Sequence, residues 1–252
     1  MRHCGIDDPD VILYLKNYPD DCQNSCEDEI IDLTALLPPN QENQEGCIKL
    51  NNLLTNVEFK NAISHLKTSV QNNETFERGY EISKNSDGVI NTNPKVGGFG
   101  GVGLDSGGDI IGGMHTHTSS GYPMFSGFDI VTLRAYYLNG LNTNSSLKHT
   151  DVFSVVVTNE GTYAITISAY NMLSYIANIT DNNTRGSDLD DILQYLYDND
   201  SNGSPEADLL KFFNSITPIP AIKLYQLNFD GTQFEELSLK PNSNTSTTVP
   251  CE

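Results

Sequence analysis

The run Asp109-Ile110-Ile111-Gly112-Gly113-Met114-His115-Thr116-His117 constrains the fold more than any other part of the chain. Its apolar front end reads as a buried strand. Side chains at i and i+2 on a strand project from one face, so His115 and His117 point the same way. On a helix the pair would stand about 200° apart. Twelve residues after His117, Asp129 falls in the first turn of a helix expected over Gly127 to Leu138. A fold that brings the strand end and the helix start together gathers two imidazoles and a carboxylate. Three protein donors with one position left for water is the arrangement of a catalytic zinc. Ser126-x-x-Asp129 also has the form of an N-cap with a first-turn acid, and that simpler role is compatible with the first. A capped helix start is a rigid place from which to present a ligand.

At these residues the sequence resembles the JAMM (MPN/JAB) zinc metalloproteases, in their bacterial JAB-like branch. The resemblance rests on His115-x-His117, a short loop, and Ser126-x-x-Asp129, and it covers residues 72–170. Thr118 stands where the family pattern has proline, and the loop to Ser126 is one residue longer than the commonest form. The resemblance implies that His115, His117 and Asp129 hold Zn2+, that Ser126 steadies an oxyanion, and that a glutamate on an earlier strand is the general base. Phe76-Glu77-Arg78-Gly79-Tyr80-Glu81-Ile82 supplies that strand, with Glu77 ahead of Glu81 for the role. The implied activity is hydrolysis of peptide or isopeptide bonds in a protein or peptide substrate. The implied fold is the JAB/MPN fold, which is cytidine-deaminase-like. Two other readings stay open: an MPN-like binding or scaffold module with little activity, and the C-terminal domain of a secreted, toxin-like protein.

Charge narrows the partners. Fourteen Lys and Arg against 33 Asp and Glu give a net charge of −19. Nucleic acid needs a basic footprint, so it is excluded as a partner, and anionic membrane surfaces are disfavoured on the same ground. No stretch approaches the roughly 18 apolar residues of a membrane span. Met1 to Asp8 lacks the apolar core of a secretory leader, which suggests a piece of a longer protein with its targeting region upstream. Five cysteines fall at 4, 22, 26, 47 and 251. Cys4, Cys22, Cys26 and Cys47 read as a small disulfide cluster or a zinc knuckle, and Cys251 as able to close back onto the N-terminal region. Disulfides favour a secreted or periplasmic setting.

The remaining pattern reads as an α+β fold, a curved mixed sheet flanked by helices, with an N-terminal helical arm and a C-terminal hairpin. Residues 1–45 form an acidic, cysteine-containing arm or linker, 46–71 a helical lead-in, 72–170 the metallohydrolase core, and 171–252 a helical and hairpin extension. Within the lead-in, Thr55 or Asn56 caps a second helix. Strands are expected at 76–83, 89–92, 152–158 and 162–168, helices at 169–178, 188–198 and 205–216, and a last hairpin over 221–239. Asn139-Gly140 reads as the left-handed end of the helix that carries Asp129. The glycine-rich run 96–108 lacks the Gly-Lys-Ser/Thr of a phosphate loop and reads as a mobile loop, a flap beside the cleft. The tail from Pro241 looks loose. Asp198-x-Asp200-x-Asn202-Gly203 resembles the front of a calcium loop, so Asp198, Asp200 and Asn202 are candidate Ca2+ ligands. The bidentate glutamate of that pattern is absent, Leu209 standing at its position.

Overall fold

Among the described residues, eight strands form one sheet. A computed structural model describes residues 44–98, 100–118, 121–169, 187–199, 204–216, 221–241 and 243–251. The strands are β1 (Arg78–Lys84), β2 (Ile90–Val96), β3 (Ile110–Thr116), β4 (Phe153–Val157), β5 (Thr162–Ile167), β6 (Ile222–Leu227), β7 (Phe234–Leu239) and β8 (Ser246–Pro250). They stand in the order β2-β1-β3-β4-β5-β6-β7-β8, and among these described strands only β3 and β4 run parallel, every other neighbour being antiparallel. Five α-helices are described: α1 (Glu45–Leu53), α2 (Val57–Gln71), α3 (Gly127–Thr143), α4 (Ser187–Asn199) and α5 (Pro205–Ile216). The α+β class expected from the sequence is therefore observed, with a mostly antiparallel sheet.

The one parallel pair has a physical cause. A parallel partner needs a crossover connection, and α3 provides it between β3 and β4. Helices cover both sides, which is why β4 and β5 are buried along their whole length. Phe59 of α2 packs edge-on to Phe153 of β4, ring centres 5.8 Å apart, so α2 lies on the face shared by Met114 and Phe153. Thr166 pairs with Phe153 in register and meets Gly46, which puts α1 on that same face. The opposite face carries Gly113, His115 and Val156. Tyr136 of α3 crosses it at Gly113, where a side-chain methyl would come within 2.3 Å of the tyrosine oxygen. Glu206 of α5 accepts a hydrogen bond from Tyr163, the register partner of Val156, at 2.7 Å. The sheet is thus the middle of three layers.

Local signals explain the helix starts. Asn56, with extended backbone, accepts from the amides of Glu58 and Phe59 and is the cap of α2. Glu45 opens α1, where a negative charge suits the helix dipole. Lys49, 2.8 Å away, and Lys148, at 3.1 Å, hold the Glu45 carboxyl at a pKa of about 2, the hydrogen bond from Lys49 being the main cause and burial opposing it. A pKa depressed on folding stabilises above the unfolded value and is lost as acid protonates the group. Between pH 4.5 and about 2, Glu45→Gln should therefore flatten the fall in melting temperature. The pair is about a third exposed, so the effect is on the order of 0.5–1 kcal/mol.

Several expectations are corrected. Asn139-Gly140 does not end α3, which runs on to Thr143 and stops at Asn144, whose amide bonds the Gly140 carbonyl. Gly140 serves packing instead: a methyl there would meet Leu147 at 2.5 Å. The tail is not loose, because residues 246–250 form β8 on the edge of β7. Cys251 beyond it is disulfide-bonded to Cys47 on α1, Cα atoms 6.0 Å apart. Cys47 thus pairs with the C-terminal cysteine and not with the N-terminal cluster. The run at 100–108 is held down: Asp105 N–H donates to Glu81 at 2.9 Å, Asn139 donates to Ser106 at 2.9 Å, and Thr143 donates to the Gly108 carbonyl at 2.5 Å. The N-terminal arm with Cys4, Cys22 and Cys26 lies outside the described residues. So do Asp200 and Asn202 of the calcium reading and nearly all of the helix expected at 169–178. Among the described residues no helix is long and apolar enough to cross a membrane.

Candidate metal centre

The C-terminal end of β3 and the first turn of α3 meet on the α3 side of the sheet. His115 and His117 leave β3 on that face, and Asp129 reaches it from the third position of α3. His115 Nε2 lies 3.0 Å from His117 Nε2 and 3.2 Å from Asp129 Oδ1. His117 Nε2 lies 3.6 Å from Asp129 Oδ2. All three residues are more than nine-tenths buried. Four-coordinate zinc with bonds of about 2.0–2.2 Å separates its ligands by roughly 3.4 Å, so these spacings suit a small tetrahedral cation.

The donor chemistry agrees. His117 Nδ1 is 3.1 Å from the Tyr122 carbonyl, which can only accept, so Nδ1 carries the proton and Nε2 presents a lone pair. Two ring nitrogens facing each other at hydrogen-bond distance require a proton or a cation between them. In the metal-free protein the proton belongs to His115. Burial opposes its charge, but the Asp129 and Glu77 carboxylates outweigh burial and raise its pKa. His117 falls to about 4, through burial first and then the charge on His115. Burial likewise opposes the Asp129 charge, but the two histidines and the Ser126 amide hold its pKa well below the usual carboxylate range. A divalent cation bound at the same atoms would replace that proton.

Ser126 is the N-cap of α3. Its hydroxyl donates to Asp129 Oδ2 at 2.8 Å, its amide donates to the same oxygen at 2.7 Å, and its oxygen accepts the Asp129 amide at 3.3 Å. This is a capping box with Asp in place of the usual Glu. It fixes Asp129 so that Oδ1 faces His115. In this arrangement Ser126 orients Asp129, and stabilising an oxyanion would require its hydroxyl to turn away from Asp129.

Glu77 sits just before β1. Because Gly79 is opposite His115 in the antiparallel ladder, continuing the register sets Glu77 across from His117. Its backbone is tied on both sides, the amide to the Gly98 carbonyl at 3.2 Å and the carbonyl to the Gly97 amide at 2.8 Å. The residue is 8% exposed, and burial raises the pKa of its carboxyl, with His115 and the Val102 amide opposing and Asp129 adding repulsion. Glu81 is placed differently. It lies opposite Gly113 and is fully engaged by Lys95 at 2.7 Å, Asn93 at 2.8 Å and the Asp105 amide. Of the two acids, Glu77 is the one that feels the charges of His115 and Asp129.

Three contributors carry no sequence signal: the Tyr122 carbonyl, Asp190 and Tyr197. Asp190 of α4 accepts from the Tyr122 hydroxyl at 2.5 Å and from the Gly127 amide at 2.9 Å. The Tyr197 hydroxyl donates to the Phe125 carbonyl at 2.9 Å. Asp190 lies 63 residues beyond Gly127, a separation that no local pattern spans. A larger groove opens at the other end of β3, between Leu50, Lys84 and Phe153, and holds none of the metal-site residues. Convergent donors, not cavity size, single out the site. Among the described residues His115, His117 and Asp129 are the group of three or more side chains able to hold a metal ion. Compared with known proteins, the chain matches no family model, no curated protein and no solved structure.

Proposed function

We propose that this protein is a zinc-dependent hydrolase of peptide or isopeptide bonds, of the JAMM type and with a JAB/MPN-like core. The observation that carries the reading is the meeting of two imidazole nitrogens and a carboxylate within 3.0–3.6 Å beside a second buried acid, Glu77. Structural zinc sites close with four protein ligands, whereas three leave a position for water. His115, His117 and Asp129 would hold the ion. When bound, zinc supplies Lewis acidity and lowers the pKa of a coordinated water from about 16 toward 7.

The chain's own residues do the rest. Glu77, whose pKa burial raises, takes a proton from the attacking water as its oxygen adds to the scissile carbonyl carbon. It returns that proton to the amine as the C–N bond breaks. The Tyr122 carbonyl keeps His117 in the tautomer that coordinates. Ser126 keeps Asp129 pointed at the histidines. A peptide substrate suits a chain of net charge −19 when it is neutral or basic.

Metal analysis of the purified protein, followed by cleavage profiling of a peptide library with and without chelator, tests the reading. About one equivalent of zinc and cleavage that chelation abolishes and zinc restores are expected. A folded protein that takes up no divalent metal, or cleavage indifferent to chelator, would overturn it.

A further inference from the structure

The loop from Tyr122 to Gly127 connects the histidine strand to the helix of Asp129, and it is gripped from outside by one carboxylate. Asp190 Oδ2 accepts the Tyr122 hydroxyl, and Tyr122 is the residue whose carbonyl takes the His117 Nδ1 proton. Asp190 Oδ1 accepts the Gly127 amide in the first turn of α3, two residues before Asp129. One side chain on α4 therefore fixes the supports of two separate ligands, one on each side of the loop. Tyr197, two turns further along the same face of α4, clips the same loop at Phe125, and its ring packs against Tyr122 with centres 6.2 Å apart.

The geometry points to Asp190 as a positioning residue of the metal centre, so that the segment after β5 completes the site instead of merely extending the fold. This inference rests on the metal reading above. An unsupported loop would let the His117 ring rotate and the α3 start fray, and either widens the donor set. Partners of this kind, behind the ligands, typically change metal affinity by about 10- to 100-fold when removed.

Metal affinity by competition with a chromophoric chelator, and the visible spectrum of the Co2+-loaded protein, read this directly. Asp190→Ala should weaken Zn2+ and Co2+ binding by about 10- to 100-fold and shift the Co2+ bands, because the ligand geometry changes. Tyr122→Phe keeps the Gly127 contact and should move both readouts the same way by a smaller factor. It also carries the test if Asp190→Ala fails to fold. A merely structural Asp190 would lower the metal-free melting temperature and leave affinity and spectrum at wild-type values, which overturns the inference while the metal reading stands. Wild-type protein that binds neither ion overturns both.

Discussion

Glu77→Gln is expected to bind zinc at full stoichiometry and to lose about 10²- to 10⁴-fold in turnover, the usual contribution of a positioned general base. The amide keeps the size and the hydrogen bond from Val102 but cannot take a proton. Glu77 is not among the three converging donors, so the ion is expected to be indifferent to the change. Asp129→Ala should do the opposite and abolish stoichiometric zinc. It removes a ligand that lies 3.2 Å from His115 Nε2, and with it the negative charge that offsets the cation. His115→Ala should behave like Asp129→Ala. Zinc content by elemental analysis and cleavage of the best library peptide separate the two classes. Zinc retained by Asp129→Ala, or full turnover in Glu77→Gln, would remove the proposed mechanism. Glu81 makes the contrast: its carboxyl is neutralised by Lys95 and two further donors, so Glu81→Gln should cost stability more than turnover.

Breaking the Cys47–Cys251 bridge is expected to cost about 2–5 kcal/mol of folding stability while leaving zinc affinity near that of the wild type. The bond closes a loop of 204 residues, so it restricts the unfolded chain strongly. It also anchors β8, which among the described strands pairs with β7 alone and ends the sheet. Both cysteines lie at the Phe234 carbonyl, on the β7 side of the molecule, and α1 sits on the sheet face away from the histidines. Chemical denaturation of Cys47→Ser and Cys251→Ser, and of the wild type with and without reductant, measures the loss. Equal midpoints in all four samples would mean that the bridge contributes nothing. A parallel fall in zinc affinity would mean that the two faces are coupled, which the sheet between them argues against.

The histidine pair, Asp129 and the helix start at Ser126 were legible, because each follows from strand alternation, helix capping or the spacing of one short motif, whereas the preference for Glu77 over Glu81 came from the family resemblance alone. The capping role of Ser126 was legible too, and it is the role the hydrogen bonds display. Asn139-Gly140 misled, since a left-handed cap and a close packing contact call for the same glycine, and only Leu147 across the gap distinguishes them. The polar tail misled for a related reason. Ser, Thr and Val suit an edge strand once a partner is present, and nothing local announces that β7 is the partner.

By itself the sequence determined what periodicity and chemistry settle over a few residues: an α+β chain, the helix starts, and two imidazoles on one face of a strand. Tertiary structure alone decided which distant groups complete the picture. Cys251 meets Cys47, the C-terminal strands carry on the same sheet, and Asp190 reaches the loop behind His117. The physical reason is one of range. Local patterns fix which way a side chain points, whereas its partner across the fold is chosen by how whole helices and strands stack to bury their apolar faces.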